Sequence, residues 1–196
     1  MQPLFHTASA DALPQDWERM WSPYNEDTYR FVIDRVGPKD VVLDIGAGDL
    51  RLSRRLAAIA SKAYAIERNA EVLAQADRSG WPENLIVIHA DALTWPFPND
   101  VTIGVLLMRH CEPAHFTDYV ARLKAVGCRC LMTNARWKMA IEEIDLRSSR
   151  VYDPDRMGWY ACACGSIGFT PGDPNQITPL LLEDVVEVTN CPNCGA

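Results

Sequence analysis

Long apolar runs are absent from the 196-residue sequence. Stretches such as Val105–Met108 fall far short of the roughly 20 residues that a membrane-spanning helix needs, so no membrane partner is expected. The N-terminal stretch lacks a basic segment followed by an apolar core, which argues against a secretory signal and for a cytoplasmic location. Excess positive charge is also missing: Lys and Arg number 19 against 26 Asp and Glu, a net charge of −7. Phosphate backbones are bound mainly through Lys and Arg, so this balance argues against non-specific nucleic-acid binding. A local basic patch at Arg51, Arg54 and Arg55 is the exception. There is no internal repeat and no low-complexity tract. Seven cysteines need an explanation, and in a cytoplasmic chain they point to metal ligation or buried thiols before disulfides.

What is present is alternation. Residues 25–38 read as a helix with Tyr29, Val32, Ile33 and Val36 on one face, capped by Asn25 and stopped by Gly37–Pro38. Short apolar strands follow at 41–45, 63–67, 84–90, 101–108 and 128–134. Between them lie helical patterns at 49–60, 69–80 and 114–127, with Asn69 as a cap and Gly80 and Gly127 as stops. Strands apolar on both faces and separated by helices predict a doubly wound α/β fold with a mostly parallel sheet. Ligands in such sheets lie beyond the carboxyl ends of the strands. Ionisable residues collect at those ends: Asp44, Glu67, Asp91 and the run Arg109-His110-Cys111-Glu112. Residues 141–149 fit either a helix turn or a strand, and the segments beyond them are loop-like.

Gly46 and Gly48 follow the first strand directly, where a left-handed turn and close backbone approach to a ligand are needed. Glu67, some 20 residues on, stands where an acidic side chain can accept hydrogen bonds from ribose hydroxyls. A dinucleotide fingerprint would place a third glycine at Arg51. Asp44 opposes phosphate but suits a cation, and S-adenosylmethionine carries an ammonium, a sulfonium, a ribose and no phosphate. The stretch "VLDIGAGDLRLSRRLA" resembles the first motif of class I S-adenosylmethionine-dependent methyltransferases, "AYAIERN" the second and "NLIVIHADAL" the third. The match departs at Leu50, where many members have a third glycine, and a slight shift of the backbone is expected there. The same region is similar to the cofactor half of ribosomal RNA adenine dimethylases. The resemblance implies a Rossmann-like methyltransferase domain with Asp44, Gly46, Gly48, Glu67, Asp91, Ala92 and Met108 around the cofactor.

The dimethylase family has an Asn-Leu-Pro-Tyr type motif at the fourth strand end, which holds the target amine. This chain has "LLMRHCEP" there, so the methyl acceptor stays open among small molecule, RNA and protein. Direct displacement at the methyl needs a positioned nucleophile and often a base. His110 is the expected base, Arg109 a holder of a substrate anion and Glu112 an orienting group. Cys111 beside His110 raises thiol catalysis as a rival. Asn134, Arg136 and Trp137 are expected to line the substrate side, and Trp21 and Tyr24 to form part of a lid or pack on the sheet. Two other function classes fit the same strand ends: a non-catalytic cofactor-binding module and a dinucleotide-dependent oxidoreductase.

"CACG" at 162–165 and "CPNCG" at 191–195 are each a close cysteine pair followed by glycine. Four thiolates make a closed tetrahedral site, so Cys162, Cys164, Cys191 and Cys194 are expected to hold structural zinc, with thiol redox chemistry or an iron–sulfur centre as alternatives. The set resembles a zinc ribbon. Cys128 and Cys130 lie in a predicted core strand and are expected to share one buried face. The expected division is a methyltransferase domain over 1–150, including N-terminal helices, and a zinc-ribbon-like segment over 151–196.

Overall fold

The structure, a computed structural model, describes residues 25–76, 79–137, 140–148 and 150–195. Trp21 and Tyr24 lie outside them, as do the expected N-terminal elements before residue 25. Helix α1 (Glu26–Ile33) is capped as expected, the Asn25 side chain accepting from the Thr28 amide. It ends before Gly37–Pro38 because Arg35 and Val36 donate three residues back, to Val32 and Ile33, which tightens the last turn. Val32 is fully buried, with Tyr29, Ile33 and Val36 packed around it.

Strand β1 (Val41–Ile45) leads into helix α2 (Arg51–Ala57). Then follow β2 (Lys62–Glu67), α3 (Ala70–Ala74), β3 (Leu85–His89), β4 (Ile103–Leu106), α4 (Pro113–Ala125), β5 (Cys130–Thr133) and β6 (Glu142–Asp145). The sheet order is β3-β2-β1-β4-β5-β6, with β1 to β5 parallel. The open alternative at 141–149 resolves as a strand, β6, antiparallel to β5. On one sheet face Leu43, Ile45, Leu106 and Leu131 pack against Phe116, Tyr119, Val120 and Leu123 of α4. On the other, Val42, Ile103, Val105 and Met132 pack against Val32 of α1 and Leu52 and Leu56 of α2. Gly104 lets α4 approach β4: a Cβ there would lie 2.7 Å from Leu123 Cδ1. No helix among the described residues is long and apolar enough to cross a membrane.

Two helices are shorter than their patterns. α2 stops at Ala57, where the Asn84 amide donates to the carbonyls of Ala57 (2.9 Å) and Ala60 (3.0 Å) and closes the helix end. α3 keeps its Asn69 cap but spans only five residues, with Val72 and Leu73 as its buried anchors. Helical stability comes mainly from packing of an apolar face, and this face is short. Cys128 and Cys130 do not share a face. Cys128 packs in the cluster under α4 and Cys130 in the cluster under α1 and α2. The strand begins only at Cys130, so two-residue alternation does not reach Cys128.

The C-terminal segment forms a second sheet of order β8-β7-β9, from β7 (Gly158–Cys162), β8 (Ile167–Thr170) and β9 (Val185–Val188). Helix α5 (Pro179–Glu183) precedes β9. Its buried core is small: Cys162, Val186, Val188 and Cys191. Arg136 joins it to the main sheet. The guanidinium donates to Glu142 of β6 (2.9 and 2.5 Å), to Glu187 of β9 (2.9 and 2.8 Å) and to the Cys162 carbonyl (3.0 Å). Its side chain is 2% exposed.

Leu50 supplies a test of the local folding. It takes the left-handed conformation (φ 68°) just before α2 and is fully buried beside Ala57, Ala63, Ala65 and Leu85. Leu50→Ala should therefore destabilise by about 2–5 kcal/mol in urea unfolding. Leu50→Gly loses the same contacts but relieves left-handed strain of about 1 kcal/mol. It should be no less stable than Leu50→Ala, the reverse of the usual order of Ala and Gly.

Candidate active site and cysteine centre

Between β1 and β4 the strand order reverses, and the crevice of a doubly wound sheet opens at such a point. The chain leaves β1 through Gly46 (φ 73°) and Gly48 (φ 59°). Both peptides after the strand are tied to β2: the Gly46 and Ala47 amides donate to the Ile66 carbonyl at 2.9 and 3.0 Å. Leu50 keeps the left-handed backbone that a glycine would adopt, so the departure at this position adds a buried side chain to the motif. Met108, just past β4, closes over the turn, and a Cβ on Gly46 would lie 2.7 Å from its Cε.

Three carboxylates stand at neighbouring strand ends. Asp44 is buried and accepts from the Ser53 hydroxyl at 2.6 Å. Burial pushes its carboxyl up to about 6; the Ser53 bond opposes this and the nearby charge of Glu67 adds to it. Glu67 accepts the Gly48 amide on one oxygen (3.0 Å) and the Asn69 amide on the other (2.8 Å), which ties the glycine turn to the start of α3. A carboxylate has about four lone-pair sites, so acceptor capacity remains. Asp91 accepts the Leu93 amide at 2.9 Å. Its loop is held by Arg122 of α4, which donates to the carbonyls of Ala92 and Trp95 and lies over the Phe97 ring.

At the end of β4, Arg109, His110 and Glu112 are exposed, while Cys111 is buried. The Cys111 amide donates to the Met108 carbonyl and its thiol faces the Glu112 carbonyl at 3.5 Å. The thiol is thus buried where the His110 residue is exposed. Beyond β5, Arg136 does not line a substrate surface: its ion pairs with Glu142 and Glu187 bury it between the two sheets. Trp137 donates to Glu142 at 2.8 Å. Glu142, six residues on, was within reach of a sequence reading, but Glu187, 51 residues away, was not. Asn134 is 3% exposed, and among the described residues nothing donates to its Oδ1.

The sequence matches the family model for ribosomal RNA adenine dimethylase over residues 26–124, half of the chain. The chain belongs to that family. The match ends within α4, so β5, β6 and the cysteine sheet lie past its last residue. No curated protein matches the sequence. Among solved structures, the chain is similar to a DhpI–SAH complex, at 16% identity and a TM-score of 0.50, covering 61% of each chain. It is similar to the 23S rRNA methyltransferase ErmE at 23% identity and a TM-score of 0.49, covering 56% of this chain and 46% of that one. A dimethyladenosine transferase from Plasmodium falciparum is 20% identical, with a TM-score of 0.46 over 57% of this chain and 41% of that one. At these identities the likeness is one of fold, and this chain spans only 41–61% of the length of the three structures.

Past the end of β4 the chain reads Met108-Arg109-His110-Cys111. The four C-terminal cysteines converge as the spacing suggested. Their sulfurs lie within 4.8 Å of one another: Cys162–Cys194 at 3.7 Å, Cys164–Cys191 at 3.6 Å and Cys191–Cys194 at 3.8 Å. None of these separations is a disulfide. Glycine is required in each turn. Gly165 has φ 91°, and a Cβ on Gly195 would lie 2.6 Å from the Asn190 carbonyl oxygen. The remaining pair differs: burial pushes the Cys128 and Cys130 thiols up to about 11 and about 12, which suits packed, unreactive cysteines.

Asp44 makes the site pH-dependent. Folded, it keeps its proton up to about pH 6, whereas an unfolded Asp releases it near 4. The native state binds the extra proton between these values, so stability falls as pH rises from about 4 to about 6. Asp44→Asn should remove that loss. Urea unfolding at pH 8 should show the variant more stable by up to about 3 kcal/mol, and the difference should vanish near pH 4.

Proposed function

We propose that the protein is a methyltransferase that uses S-adenosylmethionine and acts by direct displacement on a nitrogen acceptor. The observation that carries the reading is the pair of carboxylates, Asp44 and Glu67, on adjacent strands around a glycine turn at the switch point. Two negative charges there disfavour a pyrophosphate and favour a cation. Family membership supports the same reading. S-adenosylmethionine, when bound, supplies an electrophilic methyl group. The residues present fit it: Gly46 and Gly48 admit close backbone approach, and Glu67 has capacity for ribose hydroxyls. Asp91 and Ala92 stand at the next strand end for the base, and Met108 stands over the turn.

On the acceptor side His110 is the proposed base, with Arg109 to hold an anion and Glu112 to orient the imidazole or an amine. Asn134 adds a buried carbonyl oxygen with no donor among the described residues. Buried acceptors are normally satisfied. Asn134 directly follows Thr133, the last residue of β5, and so stands at the carboxyl end of that strand. β5 lies two strands from β1 in the sheet, and Asp44 is level with Met132, two residues before Asn134. An N–H of the acceptor would satisfy Asn134. Cys162, Cys164, Cys191 and Cys194 are proposed to hold one structural zinc. Zinc–thiolate bonds of about 2.3 Å place tetrahedral sulfurs about 3.8 Å apart, and the sulfurs here are 3.6–3.8 Å apart in three pairs.

Titration calorimetry with S-adenosylhomocysteine tests the donor site. Binding is expected for the natural chain, with a loss of at least about tenfold in Asp44→Asn or Glu67→Ala. NADH should not bind. Binding of NADH with none of S-adenosylhomocysteine would instead mark an oxidoreductase, and binding without turnover of labelled donor on an RNA, peptide and amine panel would mark a binding module. For the cysteines, elemental analysis of protein purified without added metal should find one zinc per chain, and none in Cys162→Ser.

A further inference from the structure

The cysteine centre is packed against the element that follows the acceptor-side loop. The knuckle Cys162-Ala163-Cys164-Gly165 lies on the first turns of α4. The Thr117 hydroxyl lies 3.0 Å from both the Cys164 and the Pro113 carbonyl oxygens, which share its single proton. A Cβ on Gly165 would lie 3.2 Å from Phe116 Cδ1, so ring and knuckle are in contact. Ala163 packs against the cluster that contains Cys111 and Phe116. From there the contacts run into the loop: the Phe116 amide donates to the Glu112 carbonyl at 2.9 Å, and the Cys111 amide to the Met108 carbonyl at 2.9 Å. Arg136 fixes the far side of the knuckle through the Cys162 carbonyl. The donor side of the rim is held differently. Asp44, Glu67 and Asp91 are bonded to Ser53, Gly48, Asn69 and Leu93, all of which precede β4 in the chain.

We propose that the cysteine knuckle is a wall of the acceptor site, and that metal at the four cysteines holds the Arg109–Glu112 loop in place without holding the donor site. The proposal rests on the zinc reading above. The C-terminal sheet buries too little apolar surface to keep the knuckle shaped by packing alone, so the metal supplies that order. Losing the metal releases the knuckle from Phe116 and Thr117. Cys111, five residues before Phe116 and just ahead of α4, is then exposed, while Cys128 past the far end of α4 and Cys130 in the opposite cluster stay enclosed.

The sulfur of Cys111, 4% exposed as a residue, is the reporter. The full chain is treated with a chelator, zinc release is followed with a chromogenic dye, and cysteines are pulse-labelled with N-ethylmaleimide and located by peptide mass spectrometry. Metal removal should speed labelling of Cys111 by about tenfold or more, with Cys128 and Cys130 as protected as before, and zinc added back before the pulse should restore protection. S-adenosylhomocysteine affinity should change by less than about threefold. Thr117→Val should keep its zinc and still label faster at Cys111. The proposal is overturned if Cys111 stays as protected as Cys128 after metal release. Simultaneous labelling of all three with loss of S-adenosylhomocysteine binding also overturns it, since the metal would then staple the whole fold. Protein purified without zinc would refute the zinc reading itself, by elemental analysis, and the proposal with it. Absence of S-adenosylhomocysteine binding at the outset would refute the methyl-donor reading and leave the labelling result standing.

Discussion

Strand β1 lies between β2 and β4, and the chain leaves that central position once toward each edge of the sheet. Right-handed crossovers then force the helices onto opposite faces. Their loops part at the carboxyl end of β1, so the peptides there cannot continue a ladder. The glycine turn answers this constraint by donating back to Ile66. The other features of the rim depend on it. Glu67 can reach the Gly48 amide only because the turn folds over β2, and Met108 can cover Gly46 only because no side chain stands there.

The rim was legible in the sequence because it follows from period. A strand's end is marked where an apolar run stops, and parallel strands place successive ends side by side, so Asp44, Glu67 and Asp91 could be grouped without any knowledge of contacts. Caps such as Asn25 and Asn69 were equally legible, since each bonds within three residues of itself. Contacts between distant segments left no such mark. Arg136 looks like a surface residue after a strand, yet two glutamates, one of them 51 residues away, draw it inside. Cys128 and Cys130 follow an alternation that begins only where pairing begins, and pairing is a property of the neighbouring strand.

The buried Arg136 also explains why the cysteine sheet sits where it does. A guanidinium without water needs its hydrogen bonds filled in fixed directions, and two carboxylates with one carbonyl do so here. Such a cluster is poor at adding net stability but strict about geometry. The two sheets thus have one mutual placement in which no charge is stranded, and that placement puts the first cysteine pair against α4.

Helix α4 touches both halves of the rim. Near its start Thr117 and Phe116 hold the cysteine knuckle, and one to two turns later Arg122 grips the backbone behind Asp91. Five residues of helix, about 7–8 Å, separate the two points of attachment. The helix is therefore a rigid strut between two loops that are far apart in sequence. Sliding of the whole helix along the sheet would move both loops by the same amount, so only a local change at its first turn can open one mouth of the crevice without the other.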